Sequence, residues 1–309
     1  MGSWDTGGFS NILEQVIVFF KIKPFIFSDM KKIYFANTSW GNSESLVKNI
    51  IDQTPNSLGI WEDVTYTLNK SEADFIIVQD GTPEEVDDSK VIYFGREPKH
   101  VTVAYYEWKR NSYGNYHHEA GNCWLPATWW IKHPFNELFD LNPTKTKKIS
   151  AIDSGRIMTT YHHFRKELVT KLMNDYSQDV DVYGHINPGH SLPPRDKKQG
   201  LIDYNYNLVI ENGKTDFYFS EKFVDPILLL TMPIYSGCKQ ISKFFPKGSY
   251  IEFDDSKGID YAISQILEIS NSNYREENIE NLKEARHLIL NKYNIWPTIK
   301  MAIDNKKVL

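Results

Sequence analysis

The chain has 309 residues, a formal net charge of −5 and 24% charged residues. Its length predicts about two domains of roughly 150 residues each, and its composition is that of a folded globular protein rather than a disordered one. The lack of a basic excess argues against nucleic acid as a partner.

The first candidate element is an N-terminal stretch whose apolar run spans Ile12–Phe27. Two lysines, a glutamate and a proline interrupt the run, so it falls short of the ~18 apolar residues of a membrane span. We predict a packing helix within an N-terminal extension of residues 1–30, and no membrane span in this chain. The two cysteines, Cys123 and Cys238, are far apart and suit a reducing compartment. These features predict a cytoplasmic location.

Strand and helix patterns alternate along the first half of the chain. Lys31–Trp40 alternates as a strand does, and the segment SESLVKNIID that follows has a helical pattern with Ser43 as a plausible cap. Further strands are predicted in WEDVTYTL, ADFIIVQD and KVIYFG. The short apolar centres FIIV and VIYF are typical of buried parallel strands. This half therefore predicts one open α/β sheet.

A polar segment that contains two prolines, Pro134–Lys148, predicts a linker between two domains. Beyond it, strands are predicted in ISAID, VDVYGHI, YNYNLVIENG, MPIYSG and SYIEFDD. TTYHHFRKELVTKLMNDY is predicted as a helix, and Ile259 to Asp304 as mostly helical. We predict an α/β protein with two Rossmann-like domains facing across a cleft, residues 1–147 and residues 148–309.

Polar residues or glycine directly follow three predicted strands, in VIYFGREP, LVIENG and IYSG. Ligands of open parallel sheets bind at the carboxyl ends of the strands. Glu97, Asn212 and Gly237 are therefore in suitable places for a binding site.

The segment ENGKTDFYFSEKFVDPILLLTMPIYSG leads from the end of one strand into a new helix. Ser220 can cap that helix, and the exposed N–H groups of its first turn would attract a phosphate. Lys222 could neutralise a diphosphate, Glu221 could accept hydrogen bonds from sugar hydroxyls, and Tyr218 could stack on a ring. A capped helix with a solvated Glu221–Lys222 ion pair would give the same local pattern.

No sequence pattern predicts a metal site. The Asp179–Asp181 pair precedes a strand and reads as a turn. His162 and His163 are adjacent on a predicted helix, so their side chains point to different sides. His117 and His118 are predicted to be structural or to face an acceptor.

Taken together, NLVIEN, YFSEK, PILLLTMPIYSG and FFPKGSYIEF resemble, in order and spacing, the signature of glycosyltransferase family ten, the α-1,3/α-1,4-fucosyltransferases. Upstream, HFRKELVTKLMNDYSQDVDVYG resembles the family helix that carries a diphosphate-binding arginine, at Arg165. YFGREP resembles the acceptor-domain segment that carries the proposed catalytic base, at Glu97.

The resemblance implies a two-domain GT-B fold, an N-terminal acceptor domain and a C-terminal donor domain. It implies GDP-fucose as donor, a glycan hydroxyl as acceptor, and inversion at the anomeric carbon. Glu97 would be the catalytic base, while Arg165, Asn212, Tyr218, Glu221 and Lys222 would bind the donor. We expect no required cofactor, with manganese at most stimulatory. A soluble fragment of a Golgi-type membrane enzyme would have the same sequence features as a cytoplasmic one.

Several departures from the family pattern leave alternatives open. Ser220 replaces the usual Thr, and Asp225-Pro226 suggests a break in the helix. AIDSG replaces the usual Ser-Asn pair, which makes Arg156 a competitor of Arg165 for the diphosphate. The same scaffold could use another nucleotide sugar, or bind carbohydrate without catalysis.

Overall fold

The computed structural model describes residues 29–36, 43–80, 85–97, 113–117 and 128–304. The helix predicted at Ile12–Phe27 lies outside these described residues. No helix among the described residues is both long and apolar enough to cross a membrane.

The first sheet is formed by six described strands from the first half of the chain. They are β1 (Lys31–Phe35), β2 (Ile60–Trp61), β3 (Val64–Tyr66), β4 (Phe75–Gln79), β5 (Val91–Gly95) and β6 (Gly114–His117). Their order is β2-β3-β1-β4-β5-β6, and β2 alone of these pairs antiparallel. Helix α1 (Ser43–Ile50) follows β1.

The strand predicted in WEDVTYTL is confirmed only at β3, because Trp61 belongs to β2 and the two strands form a tight antiparallel hairpin. The turn between them contains Glu62, whose φ of 52° reverses the chain. The strands predicted in ADFIIVQD and KVIYFG are confirmed as β4 and β5, and both are nearly fully buried.

The second sheet contains five described strands, all parallel, in the order β11-β10-β9-β7-β8. They are β7 (Lys147–Ile152), β8 (Val180–Tyr183), β9 (Tyr204–Ile210), β10 (Met232–Ser236) and β11 (Ile251–Glu252). The described α-helices that follow β6 in the chain are α2 (Phe135–Asp140), α3 (Thr160–Asp175), α4 (Glu221–Leu228), α5 (Ile259–Ser270), α6 (Tyr274–Glu277), α7 (Ile279–Leu288) and α8 (Ile295–Ile303). Two sheets that are parallel apart from β2, with intervening helices, confirm the predicted α/β class.

Two local predictions, one for the segment Pro134–Lys148 and one for helix α4, need correction. The segment Pro134–Lys148 is not wholly a linker, because α2 lies within it and buries Phe135 and Leu138. Their spacing of three residues places both side chains on one helix face. Helix α4 is also not broken at Pro226. The helix ends two residues after the proline, so few backbone hydrogen bonds are lost.

The last described helix, α8, packs against the first sheet rather than the second. Ile295, Trp296 and Ile299 are fully buried in the same core as Ile33 and Phe35 of β1. The division of the chain into residues 1–147 and 148–309 stays a prediction, and α8 is a C-terminal element whose packing partners lie in the N-terminal part.

Candidate active site

A cavity of about 810 Å³ opens between the carboxyl ends of the two sheets. Asp80 and Glu97 line it from the first sheet, directly after β4 and β5. The residues from the second half include five of the sequence-based candidates, Arg156, Arg165, Asn212, Glu221 and Lys222. The volume lies within the range of ligand pockets, which is roughly 300–1,000 Å³.

Glu97 meets two donor-site candidates from the other half of the chain. Its carboxylate oxygen Oε2 accepts a hydrogen bond from Asn212 Nδ2 at 3.3 Å and one from the Tyr218 hydroxyl at 3.4 Å. Burial raises the pKa of Glu97, an effect that nearby Lys222 opposes and nearby Asp80 reinforces. Such a group is a suitable general base near neutral pH.

Asp80, which sequence reasoning missed, fixes the backbone that carries Glu97. Its carboxylate accepts from the backbone N–H of Arg96 at 2.6 Å and of Glu97 at 3.1 Å, and from Arg96 Nε at 2.9 Å. Asp80 has a φ of 43°, in the left-handed region that non-glycine residues rarely adopt. A strained residue at a strand end beside a cavity is typical of functional sites.

Arg165 lies on α3 and is only 5% exposed. One terminal nitrogen donates to Ile210 O and to Asn212 Oδ1, both at 3.2 Å, and Nε lies 3.5 Å from Asp153 Oδ1. The competitor, Arg156, is exposed on the loop between β7 and α3. Its guanidinium has no ion pair with any described residue. Both arginines therefore line the cavity, and the choice between them stays open.

The loop that carries Tyr218 is tied to the end of β9 by Glu211. This fully buried carboxylate accepts from the Ser220 backbone N–H at 2.8 Å and from the Ser220 hydroxyl at 2.5 Å. Gly237 packs so closely that a Cβ there would lie 2.5 Å from Glu211 Cγ. The glycine of the IYSG segment is thus required by the close packing of the two strand ends.

Helix α4 begins as predicted, with Ser220 as its N-cap accepting from the Lys222 backbone N–H. Glu221 and Lys222 form an ion pair with Lys222 Nζ 3.4 Å from Glu221 Oε1. Lys197, which no sequence signal marked, lies 3.2 Å from the same Glu221 oxygen and 3.0 Å from Asp225 Oδ2. The solvated pair considered from the sequence is in fact part of a half-buried charge network.

The charge network determines the protonation of Glu221 and Asp225. Burial alone would raise the pKa of Glu221, but Lys197 and Lys222 outweigh it and hold that pKa below its ordinary value. Burial raises the pKa of Asp225 to about 6 despite its contact with Lys197. Glu221 therefore presents an ionised carboxylate to any ligand beside it, which suits the acceptance of hydrogen bonds from hydroxyl groups.

Tyr218 is placed differently from the stacking residue that the sequence suggested. Its side chain is 1% exposed and is not among the residues that line the cavity. Its hydroxyl reaches Glu97, so in this arrangement the contact that it offers the site is a hydrogen bond rather than a ring face.

The paired histidines of α3 diverge, as their adjacency predicts: His162 is buried and His163 is exposed. No cluster of three or more His, Cys, Asp or Glu side chains suited to a metal ion occurs among the described residues. The side chains of His117 and His118 lie outside the described part, as do those of Glu107 and Glu119, the next candidates for a base in the first half of the chain.

Residues 142–278 match the sequence model of "Glycosyltransferase family 10 (fucosyltransferase) C-term". A segment of 72 residues is 35% identical to the α-(1,3)-fucosyltransferase FucT of Helicobacter pylori. It spans 23% of this chain and 15% of that protein's length.

Two crystal structures of α1,3-fucosyltransferases are similar over most of the chain. One has 18% identity and a TM-score of 0.48, covering 93% of this chain and 94% of the other. A structure with GDP has 20% identity and a TM-score of 0.47, covering 90% and 91%. Through residues 142–278, this chain is similar to the C-terminal domain of glycosyltransferase family 10, the fucosyltransferase family.

Proposed function

We propose that this protein is an inverting glycosyltransferase that moves fucose from GDP-fucose to a hydroxyl of a glycan acceptor, with α-1,3 or α-1,4 linkage. The single observation that carries the proposal is the meeting of Glu97 with Asn212 and Tyr218 at a cavity that Arg165, Glu221 and Lys222 also approach. The similarity of residues 142–278 to the fucosyltransferase family model supports the same reaction class.

In the proposed reaction, the acceptor oxygen forms a bond to the anomeric carbon as the bond from that carbon to the diphosphate oxygen breaks. Glu97 takes the acceptor proton, which its raised pKa favours. Lys222 and an arginine would stabilise the negative charge that grows on the departing diphosphate. Glu221, held ionised by Lys197 and Lys222, would accept hydrogen bonds from hydroxyl groups of the donor.

The test begins with a screen of nucleotide sugars for thermal stabilisation of the protein. The best donor is then offered to an array of glycan acceptors, and both transfer and donor hydrolysis are measured. We expect GDP-fucose to stabilise the protein most and to be turned over. Turnover of a different nucleotide sugar would mean that this sugar, and not GDP-fucose, is the donor. Glycan binding with no turnover of any donor would overturn the enzymatic proposal.

We further propose that transfer requires no metal ion, although divalent cations such as manganese could stimulate it. The support is the set of basic side chains at the cavity, Arg156, Arg165, Lys197 and Lys222, which can neutralise a diphosphate without a cation. Transfer should persist in excess EDTA. Complete loss of transfer with the chelator, restored by manganese, would contradict this.

A cytoplasmic location also stays a prediction.

A further inference from the structure

His162 is a buried histidine with a hydrogen-bond partner on each ring nitrogen. It lies in the first turn of α3 and is 2% exposed. Its Nδ1 is 2.7 Å from the Thr159 hydroxyl, and its Nε2 is 3.1 Å from Asn212 Oδ1. The ring therefore links the start of α3 to the residue that contacts Glu97.

The protonation of His162 follows from its surroundings. Burial, together with the charges of Arg165 and Lys222, lowers its pKa to about 4, while the hydrogen bond to Asn212 and the charge of Asp153 act in the opposite sense. The ring is thus neutral near pH 7 and carries one N–H. Arg165, which can only donate, also points at Asn212 Oδ1, so this oxygen is an acceptor. His162 then donates from Nε2 and accepts from Thr159 at Nδ1.

The orientation of the Asn212 amide matters for Glu97. With Oδ1 turned to His162 and Arg165, the amide nitrogen Nδ2 is turned to Glu97 Oε2. The flipped amide would set Nδ2 against the Arg165 donor and Oδ1 against the carboxylate. The terminal nitrogen of Arg165 carries two N–H groups, one for Ile210 O and one for Asn212 Oδ1. Asn212 Oδ1 therefore accepts one hydrogen bond from Arg165 and a second from His162.

We propose that His162 is a positioning residue for the transfer reaction: it holds the Asn212 amide so that the amide N–H orients the carboxylate of Glu97. The inference rests on the proposed function, in which Glu97 is the base. His162 touches neither donor nor acceptor in this role, and it acts through Asn212 alone.

Four variants separate this role from simple packing. His162→Leu removes both ring contacts and keeps an apolar side chain of fair size. His162→Gln can place an amide N–H where Nε2 lies, whereas the shorter His162→Asn reaches only the position of Nδ1. His163→Leu is the matched control, because His163 is the exposed neighbour on the same helix.

For His162→Leu and His162→Asn we expect kcat to fall about tenfold, the effect of one lost hydrogen bond. The Kd for GDP should stay within about twofold, because the charged candidates for donor binding, Arg165, Glu221 and Lys222, are unchanged. His162→Gln should recover most of the wild-type kcat, and His163→Leu should equal wild type. Equal losses in the Leu and Gln variants would overturn the positioning role.

A second readout does not depend on activity. The protein is labelled with ¹³C-glutamate, the Glu97 carboxyl signal is assigned with Glu97→Gln, and its pKa is measured by titration. A hydrogen bond to a carboxylate favours its charged form, so His162→Leu should raise the pKa of Glu97 and His162→Gln should restore it. The other charged groups that face Glu97 (Lys222, Asp80, Arg96 and Glu221) are the same in all variants.

The two readouts also separate this inference from the proposed function. If wild-type protein turns over no nucleotide sugar while the Glu97 pKa moves as expected, the proposed function fails and the positioning of Glu97 stands. If wild type is active and His162→Leu changes neither kcat nor the Glu97 pKa, the inference is wrong and the proposed function stands.

Discussion

At the residue scale, two opposing effects determine the pKa of Glu97. Its burial disfavours the charged carboxylate, whereas the donors on Asn212 and Tyr218 and the charge of Lys222 favour it. Burial dominates, so the pKa is raised, and the side chain can both accept a proton and remain available as a base near neutral pH.

Glu97→Gln keeps the size of the side chain and removes the base. We expect turnover to fall by roughly 10²–10⁴-fold, the usual contribution of general acid–base catalysis. GDP affinity should be nearly unchanged, since the predicted donor-binding residues lie in the second half of the chain. Kinetics and calorimetry on one preparation measure both, and Glu44→Gln, an exposed glutamate of α1, is the control.

The pH dependence adds a second check on Glu97. The base works only when ionised, so kcat/KM should fall as the pH drops through a value above the ordinary glutamate pKa of about 4.3. That acid limb should vanish in Glu97→Gln. Near-normal turnover of the variant would exclude Glu97 as the base, and Glu107 and Glu119 would be tested next.

The basic side chains at the cavity give a prediction about the binding of the diphosphate. Lys222→Ala and Arg165→Ala should each weaken GDP binding by about 10- to 100-fold, because a hydrogen bond to a charged group contributes ~1.5–3 kcal/mol. Calorimetric titration with GDP measures this, and Lys166→Ala, beside Arg165 on α3, is the control.

Arg165→Ala needs a stability measurement beside the titration, because it leaves the buried Asp153 without its cation. If Arg165→Ala binds GDP normally when folded and Arg156→Ala does not, the exposed arginine holds the diphosphate. Unchanged affinity in all three variants would remove the donor-site assignment.

At the scale of elements, the start of α4 is the feature that sequence reasoning located best. A capping serine, an acid and a base at a strand-to-helix junction are local signals, so they could be read without a structure. Asp80 and Lys197 could not be found this way. Each acts on a partner 16 to 28 residues distant, and only the fold brings them together.

Ser220→Ala removes the N-cap of α4 and also leaves buried Glu211 without a hydroxyl donor. We expect the free energy of unfolding to fall by ~1–3 kcal/mol, from the lost cap and the lost hydrogen bond. Urea denaturation measures it as a lower midpoint at an unchanged slope. Ser220→Thr keeps the hydroxyl and is the matched control. Equal midpoints for the alanine and threonine variants would contradict the capping role.

At the scale of the whole molecule, the sequence predicted two α/β series but not which sheet the last described helix packs against. The pattern of α8 marks an apolar helix near the C-terminus, and nothing in that pattern says which sheet it covers. The same limit applies to the hairpin of β2 and β3 and to α2, both of which are too short for a clear period. In the structure α8 packs on the first sheet, so both ends of the described chain contribute to one core.

The packing of α8 on the first sheet can be tested at Trp296. It is fully buried, its ring packs edge-on against Phe35, and its Nε1 donates to Ile50 O at 3.0 Å. Trp296→Ala should therefore lower the free energy of unfolding by ~3–5 kcal/mol, the usual effect of deleting a large buried aromatic side chain. Leu58→Ala is the control in the part of the chain that forms the first sheet, because Leu58 is 58% exposed. We expect that variant to stay within ~0.5 kcal/mol of wild type.

The folded fraction of Trp296→Ala should still bind GDP with nearly normal affinity, because the predicted donor residues belong to the second half of the chain. Chemical denaturation and GDP titration of the same sample give both values. Equal stability of Trp296→Ala and Leu58→Ala would mean that α8 does not hold the first sheet. Loss of GDP binding in molecules that remain folded would mean that the first sheet supports the donor site directly, against its assignment to the second.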